Sequence, residues 1–339
     1  LILSAEESDG LETWLTRNGY KIPKKAAEVL EPYVKSNLKF FVVKVNLEAH
    51  KASGSQTLSP IQMTFRSDRF MLPIRLGMAN ADGDQDMIVY AFSPKGRIEA
   101  TNYRTINIPT DRHIPLLVKE RFGEFYQALF ERTWKKSPDA VFNEYAWDIS
   151  SNNYVKCDPC ATTPPAYADL REAGVFWLAQ GGNGAWGGSD YLGDVFVTRM
   201  HVRYNRSTFP QDLLFQATPD RSNFQGRYIL THPARGSLNC EAGKQYKQTL
   251  ATRRQKEVQE LATLTDWNTS GYSGYIYEFG APNRYIEALP PRDNDRNLAP
   301  VFSLLQGPGN GWPYILLATA SILILFIGLW VRRLHWVKS

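Results

Sequence analysis

The chain has 339 residues, 13% of them aromatic and 22% charged. That mixture can bury a core, which excludes intrinsic disorder and low-complexity fibres. The net charge is +5; once Arg332, Arg333 and Lys338 of the C-terminal tail are set aside, 36 basic residues (39 minus 3) face 34 acidic ones. The remainder is near neutral and shows no basic stripe of the kind a nucleic-acid binder needs, so no nucleic-acid partner is expected.

In chain order, Leu1-Ile2-Leu3 reads as the end of a strand. The first residue is not Met and no export signal precedes it, so upstream sequence is expected. Ser4-Ala5-Glu6-Glu7 has the spacing of a capping box, and Leu11, Trp14 and Leu15 share the face of the helix that follows. Asn18-Gly19 ends that helix. Pro23 opens a second one at a permitted first-turn position, carrying Ala27, Leu30 and Val34. Residues 39–47 (KFFVVKVNL) are β-branched and aromatic and predict a strand. Residues 58–108 predict an antiparallel meander with one wet face, in which Ile61-Gln62-Met63-Thr64-Phe65 alternates cleanly. Residues 114–134 return to helical spacing with an aromatic stripe: Phe122, Phe125, Tyr126, Leu129, Phe130 and Trp134. Core packing is the plain reading of that stripe.

Residues 143–163 read as irregular. A short helix starts at Pro164-Pro165 and stops at Gly174, a strand covers 175–178, and a glycine-rich loop covers 181–193. Strands follow at 194–204, 213–218 and 226–231, then a charged amphipathic helix at 245–267. A tyrosine- and glycine-rich hairpin or loop covers 272–285, and a Pro/Asn/Asp/Gly-rich tether covers 289–313.

Residues 314–331 (YILLATASILILFIGLWV) contain no charge and no Pro. A helix of this length spans about 27 Å, close to the ~30 Å hydrocarbon core of a bilayer. Its Leu, Ile, Phe and Val residues favour insertion by roughly 3–7 kcal/mol. Trp312 and Tyr314 stand at one end, and Trp330 and Trp336 at the other, where interfacial aromatics belong. Arg332 and Arg333 then follow, so the positive-inside rule places the tail (332–339) in the cytoplasm and the rest outside. The localisation expected is a single-pass inner-membrane protein with a periplasmic or otherwise extracytoplasmic N-terminal region.

Several motifs invite chemistry and fall short of it. Gly182-Asn183-Gly184-Ala185-Trp186-Gly187 fits G-x-G-x-x-G, but a strand follows where a dinucleotide site needs a helix N-terminus. A loop offering Trp186 and Tyr191 to a partner is the alternative. Asp82-Gly83-Asp84-Gln85-Asp86 begins like a calcium loop but lacks Gly at the sixth position and Glu at the twelfth. An acidic turn is expected there, and no metal or cofactor. Cys157-Asp158-Pro159-Cys160 has redox spacing without the strand-to-helix setting that activates a thiol. A structural disulfide is expected, either within the motif or from one member to Cys240. Arg199, His201 and Arg203 share one strand face, a cationic strip that is either solvated or offered to an acidic partner. No protease, P-loop or hydrolase signature appears.

Residues 3–23 (LSAEESDGLETWLTRNGYKIP), FFVVKVN, MLPIRLGMAN, the CDPC and VTRMHVRYNRSTFPQDLLF resemble the bacterial family designated domain of unknown function 2330. The resemblance is spread over residues 3–267. It implies an exported protein with an upstream cysteine-containing segment and often a C-terminal anchor. It implies no activity, and it carries over no catalytic residue.

The expected architecture is α+β. One or two antiparallel-sheet lobes with flanking helices (1–148 and 149–288) are tethered to one C-terminal transmembrane helix. The expected role is that of a non-enzymatic accessory or scaffold subunit. It would dock on a larger integral-membrane complex, photosynthetic or respiratory, through Trp186, Tyr191, Tyr272, Tyr275 and Tyr277. A cell-surface ligand- or glycan-binding module and a thiol oxidoreductase using the CDPC stand as alternatives.

Overall fold

The computed structural model describes residues 1–22, 26–52, 54, 58, 60–79, 83–152, 165–181, 189–234 and 238–277. All of these belong to one compact unit, spanning 1–156 and 164–292. From the N-terminus, β1 (Ile2–Leu3) leads into α1 (Ser8–Arg17), α2 (Ala26–Lys35), β2 (Phe40–Phe41) and α3 (Leu47–Ala52). Next come β3 (Met71–Leu72), β4 (Gln85–Ser93), β5 (Ile98–Ala100), β6 (Arg104–Asn107) and β7 (Arg112–His113). A 3-10 stretch, Leu116–Arg121, delivers α4 (Phe122–Lys136), which is followed by β8 (Ala140–Asp148) and α5 (Tyr167–Glu172). β9 (Ala179–Gln180), β10 (Tyr191–Leu192), β11 (Phe196–Tyr204), β12 (Leu213–Ala217), β13 (Phe224–Gln225) and β14 (Tyr228–Ile229) precede α6 (Glu241–Thr265) and α7 (Ser273–Tyr277). The fold is a mixed α+β arrangement, rich in antiparallel pairing.

The main sheet runs β8–β11–β4, antiparallel throughout. The outer edge of β8 is shared: β6 pairs with its first half in parallel, and β13 with its second half antiparallel. Strand β11 alternates strictly. Met200, Val202 and Tyr204 enter the core cluster formed with Ile98, Leu213 and Phe215 of the second sheet, β3–β12–β5. Arg199, His201 and Arg203 therefore face the other way, toward α4. Phe130 of α4 closes a smaller core with Ala140 and Phe142 of β8. The expected boundary at 148/149 falls inside this sheet, because β4 and β8 precede it and β11 follows.

A separate core ties α1 to α2 through Leu11, Leu15, Leu30, Tyr33 and Val34, with Phe40. Tyr33 anchors this unit to the sheets. Its hydroxyl donates to Asp212 Oδ1 at 2.6 Å, and Arg75 grips the other carboxylate oxygen at 2.6 Å while lying over the Tyr33 ring.

Some elements differ from expectation. The capping box does not form: Ser8 opens α1 without a side-chain cap, and Ser4 Oγ accepts from Lys39 Nζ. The strand expected over 39–47 ends at Phe41, because Asn46 Oδ1 accepts from the amides of Glu48 and Ala49 and starts α3 instead. Residues 61–65 form no strand, and the meander expected over 58–108 is replaced by strands shared between two sheets. Residues 140–148 form the strand at the centre of the main sheet, where an irregular stretch was expected from 143. The hairpin or loop expected from 272 begins instead with a 3-10 turn and α7.

Among the described residues no helix is long and apolar enough to cross a membrane. The expected span 314–331, its flanking Trp312, Tyr314, Trp330, Arg332, Arg333 and Trp336, and the tether lie outside the described residues, as do Cys157, Cys160 and Trp186.

Candidate functional site

The densest polar chemistry in the described residues lies between the main sheet and α4. Strand β11 supplies Arg199, His201 and Arg203 by simple alternation. Strand β4 runs antiparallel beside it, with His201 paired to Ile88 and Arg203 to Asp86. On the other side a β-bulge intervenes: Arg199 pairs with Tyr145 and Met200 with Asn143, which leaves Glu144 as the extra residue. A bulge of this kind re-aims a side chain. Here it brings the Glu144 carboxylate between Arg199 and His201.

The geometry is closed on itself. His201 Nδ1 lies 3.1 Å from Glu144 Oε1, and Nε2 lies 2.9 Å from Asp86 Oδ1. Arg203 donates to both oxygens of Asp86, at 2.9 and 3.0 Å. Arg199 donates to Glu144 Oε2 and, at 2.9 Å, to the Tyr90 hydroxyl. From α4, Phe130 stacks on the His201 ring with centroids 3.6 Å apart and planes 10° apart. Arg203 lies over both Phe130 and Trp134, a cation–π arrangement that a desolvated setting strengthens. Glu144 is 3% exposed and His201 8%.

Burial and partners pull the titrations in opposite directions. Burial alone would push the His201 pKa down, but the Asp86 and Glu144 carboxylates outweigh it and hold the imidazole above its ordinary value. Burial likewise opposes ionisation of Asp86, yet bonds from His201 and Arg203 bring its pKa down to about 2. Glu144 also stays below the ordinary range, since His201, Arg199 and Tyr126 together overcome its desolvation. The Tyr126 hydroxyl is pushed well up, first by burial and then by the neighbouring Glu144 charge. The cluster is thus a set of paired charges, with the imidazole cationic between two carboxylates.

Both imidazole nitrogens are engaged by carboxylates, which leaves His201 no lone pair for a metal or a substrate proton. Among the described residues no group of His, Cys, Asp and Glu has the geometry to hold a metal. What the arrangement does is fasten α4 to the sheet. The cationic strip read from the sequence is therefore neither solvated nor open to an acidic partner. It is covered by an aromatic helix and neutralised from β4 and β8.

A second buried set joins α6 and α7 to the stretch before α4. The Tyr275 hydroxyl donates to Glu257 Oε2 at 2.9 Å and accepts from the Leu116 amide at 3.2 Å. Arg254 donates to the Tyr275 carbonyl at 2.7 Å and lies over its ring. Burial raises the Glu257 pKa despite bonding by Tyr275.

Sequence reasoning offered tyrosines as contact residues, and most of them lie inside the fold. Tyr191, Tyr272 and Tyr275 are 2%, 0% and 2% exposed, while Tyr277 is 64% exposed. Tyr191 donates to the Ile149 carbonyl at 2.5 Å, in the core that also holds Leu170, Val175 and Leu178. A large ring with one polar tip packs inward whenever a buried acceptor is within reach, and each of Tyr191 and Tyr275 has one. Cys240 is a free, exposed thiol at the N-cap of α6, where its sulfur accepts from the Gly243 amide at 3.4 Å. Sequence reasoning missed Glu144 and Asp86 as the partners of His201, which lie 57 and 115 residues away along the chain. The available signal was a glutamate inside an apolar, aromatic run, AVFNEYAWD.

Fold and site together define an α+β domain in which buried ion pairs tie three strands together and an aromatic helix covers them. The chain belongs to a bacterial family whose model, described as an uncharacterized protein conserved in bacteria (DUF2330), matches residues 1–216. The match takes in Asp86, Glu144, Arg199, His201 and Arg203 and stops short of α6 and α7. Comparison with curated proteins and with solved structures finds no match.

Proposed function

We propose that this chain is a non-catalytic accessory or scaffold subunit, anchored by residues 314–331 and docking an extracytoplasmic domain on a larger integral-membrane complex. The apolar run and the basic tail that follows it support the anchor and its orientation. The observation that carries the docking role is a row of exposed apolar side chains beside the β1–β2 ribbon. Phe41, Val43, Val45 and Leu47 are 49%, 49%, 39% and 66% exposed, and Ile2, the cross-strand partner of Phe41, is 75% exposed. Single exposed apolar residues are ordinary, whereas a row of this extent marks an interaction surface. By contrast, the most reactive-looking residue set is consumed in bracing the fold.

Val43→Glu combined with Val45→Glu tests this reading. Both side chains face water, so stability should change by no more than about 0.5 kcal/mol. Purified from native membranes in mild detergent, the double variant should keep its melting temperature and lose its integral-membrane partners. Retention of those partners at wild-type stoichiometry would remove this row from the interface.

A further inference from the structure

Two unsatisfied features match one another. The first is β4, a nine-residue strand (QDMIVYAFS) at the end of the main sheet with β11 as its one strand partner among the described residues. Its other edge pairs with no strand among the described residues, which leaves that side open to a further strand. The run from Met87 to Phe92 contains no charge and no Pro, two of the usual protections of an edge. Met87 and Val89 are only partly buried against the core cluster of the two sheets.

The second feature is the segment 61–65, IQMTF. It alternates apolar and polar residues as a strand does. Yet Ile61, Met63 and Phe65 are 58%, 56% and 76% exposed, and no strand pairs with it among the described residues. Within its own copy it is held by other partners. Gln62 Nε2 donates to the Glu172 carbonyl at 2.9 Å, and the Phe70 carbonyl accepts from the Phe215 amide at 2.8 Å. Pro60 precedes the segment at the one position where a strand tolerates it.

We propose that two copies of the chain associate by reciprocal strand addition, residues 61–65 of each pairing antiparallel with the free edge of β4 of the other. Charge selects the direction. Antiparallel pairing brings Arg66 and Arg69, just past the segment, to the acidic approach to β4 at Asp84. Parallel pairing would bring them to Lys95 instead. The period of two selects the register: Ile61, Met63 and Phe65 lie on the face of Met87, Val89 and Ala91 and extend the core those residues already border. Each copy offers one donor and one acceptor, so the exchange closes into a two-fold dimer in which neither β4 edge stays unpaired. This pairing goes beyond the docking role above and uses a different surface.

The test uses the full chain in mild detergent, with a photoreactive benzophenone amino acid at position 63. The expected product is a cross-link at twice the chain mass, joining position 63 to peptide 85–93. Met63→Lys, at an exposed position, should leave the fold intact and weaken dimerisation at least about tenfold. The dimer should persist in the Val43→Glu/Val45→Glu variant, which separates this inference from the docking role. A cross-link at the mass of one chain would show that the segment closes on its own copy. A monodisperse wild-type monomer, or cross-linking of position 63 to a different protein alone, would equally overturn the dimer.

Discussion

At position 144 a carboxylate sits out of water with Arg199 and His201 against it. Removing one member of such a set leaves the others charged and unpaired, which costs far more than the set itself contributes. Glu144→Ala should therefore lower unfolding stability by about 3–5 kcal/mol, as read by urea denaturation. A loss below about 1 kcal/mol would mean that solvent already reaches the site. The same residues set a pH dependence. The folded pKa of His201 lies above its unfolded value of about 6.5, so its pairing stabilises fully below that value. That contribution is lost as pH rises through the folded pKa. Asp86 acts in the opposite sense. Its contribution is complete above the unfolded value of about 3.9 and disappears as pH falls through about 2. Above the ordinary carboxylate range both carboxylates remain charged, and the imidazole changes state at the alkaline end. Thermal unfolding from pH 5 to 9 should show a decline in the wild type above about pH 6.5 that His201→Gln lacks. Equal slopes in both proteins would assign the decline to other groups. The sequence shows that Arg199, His201 and Arg203 share a face, because alternation is local. It does not show what covers them, because the covering carboxylates come from strands distant in sequence and one is aimed by a bulge.

Among the elements, those with clean periodicity were legible: β11, β12, the aromatic helix α4 and the amphipathic helix α6. Their expected ranges overlap the observed ones, but α4 starts at Phe122 where helix was expected from 114, because a 3-10 stretch precedes it, and α6 starts four residues earlier than expected. Strand β8 was not legible. It is buried on both faces, so it lacks alternation, and Asn143 and Glu144 break its apolar run just where the bulge lies. The stretch 39–47 erred the other way: its composition suits a strand, but the side chain of Asn46 redirects the backbone into α3. Helix α3 has no buried residue, and local stability follows buried contacts. Native-state hydrogen exchange should find its amides near the unprotected limit, while β8 and β11 exchange only on global unfolding. Protection of α3 equal to that of β11 would show that an unrecognised partner covers it. Phe130→Ala, which removes the ring stacked on His201, should cost about 3–5 kcal/mol and speed exchange in α4 before the sheet.

In the whole molecule, an internally braced domain carries an exposed apolar row, and residues 314–331 are its proposed membrane anchor. The proposed anchor rests on composition alone, since a bilayer recognises length and hydropathy and needs no tertiary context. The proposed docking surface does not. Tyrosines suggested it, and Tyr191, Tyr272 and Tyr275 proved to be core, because an amphipathic ring reads the same in sequence whether its tip meets a buried acceptor or water. The aliphatic row at 41–47 looked like one side of an ordinary strand and became informative only when no partner strand was found beyond Phe41 among the described residues. The most direct measurement is isolation of the full chain from native membranes in mild detergent, followed by mass spectrometry of what co-migrates. The account predicts integral-membrane proteins in fixed stoichiometry. A chain that migrates unaccompanied by any other protein would contradict it.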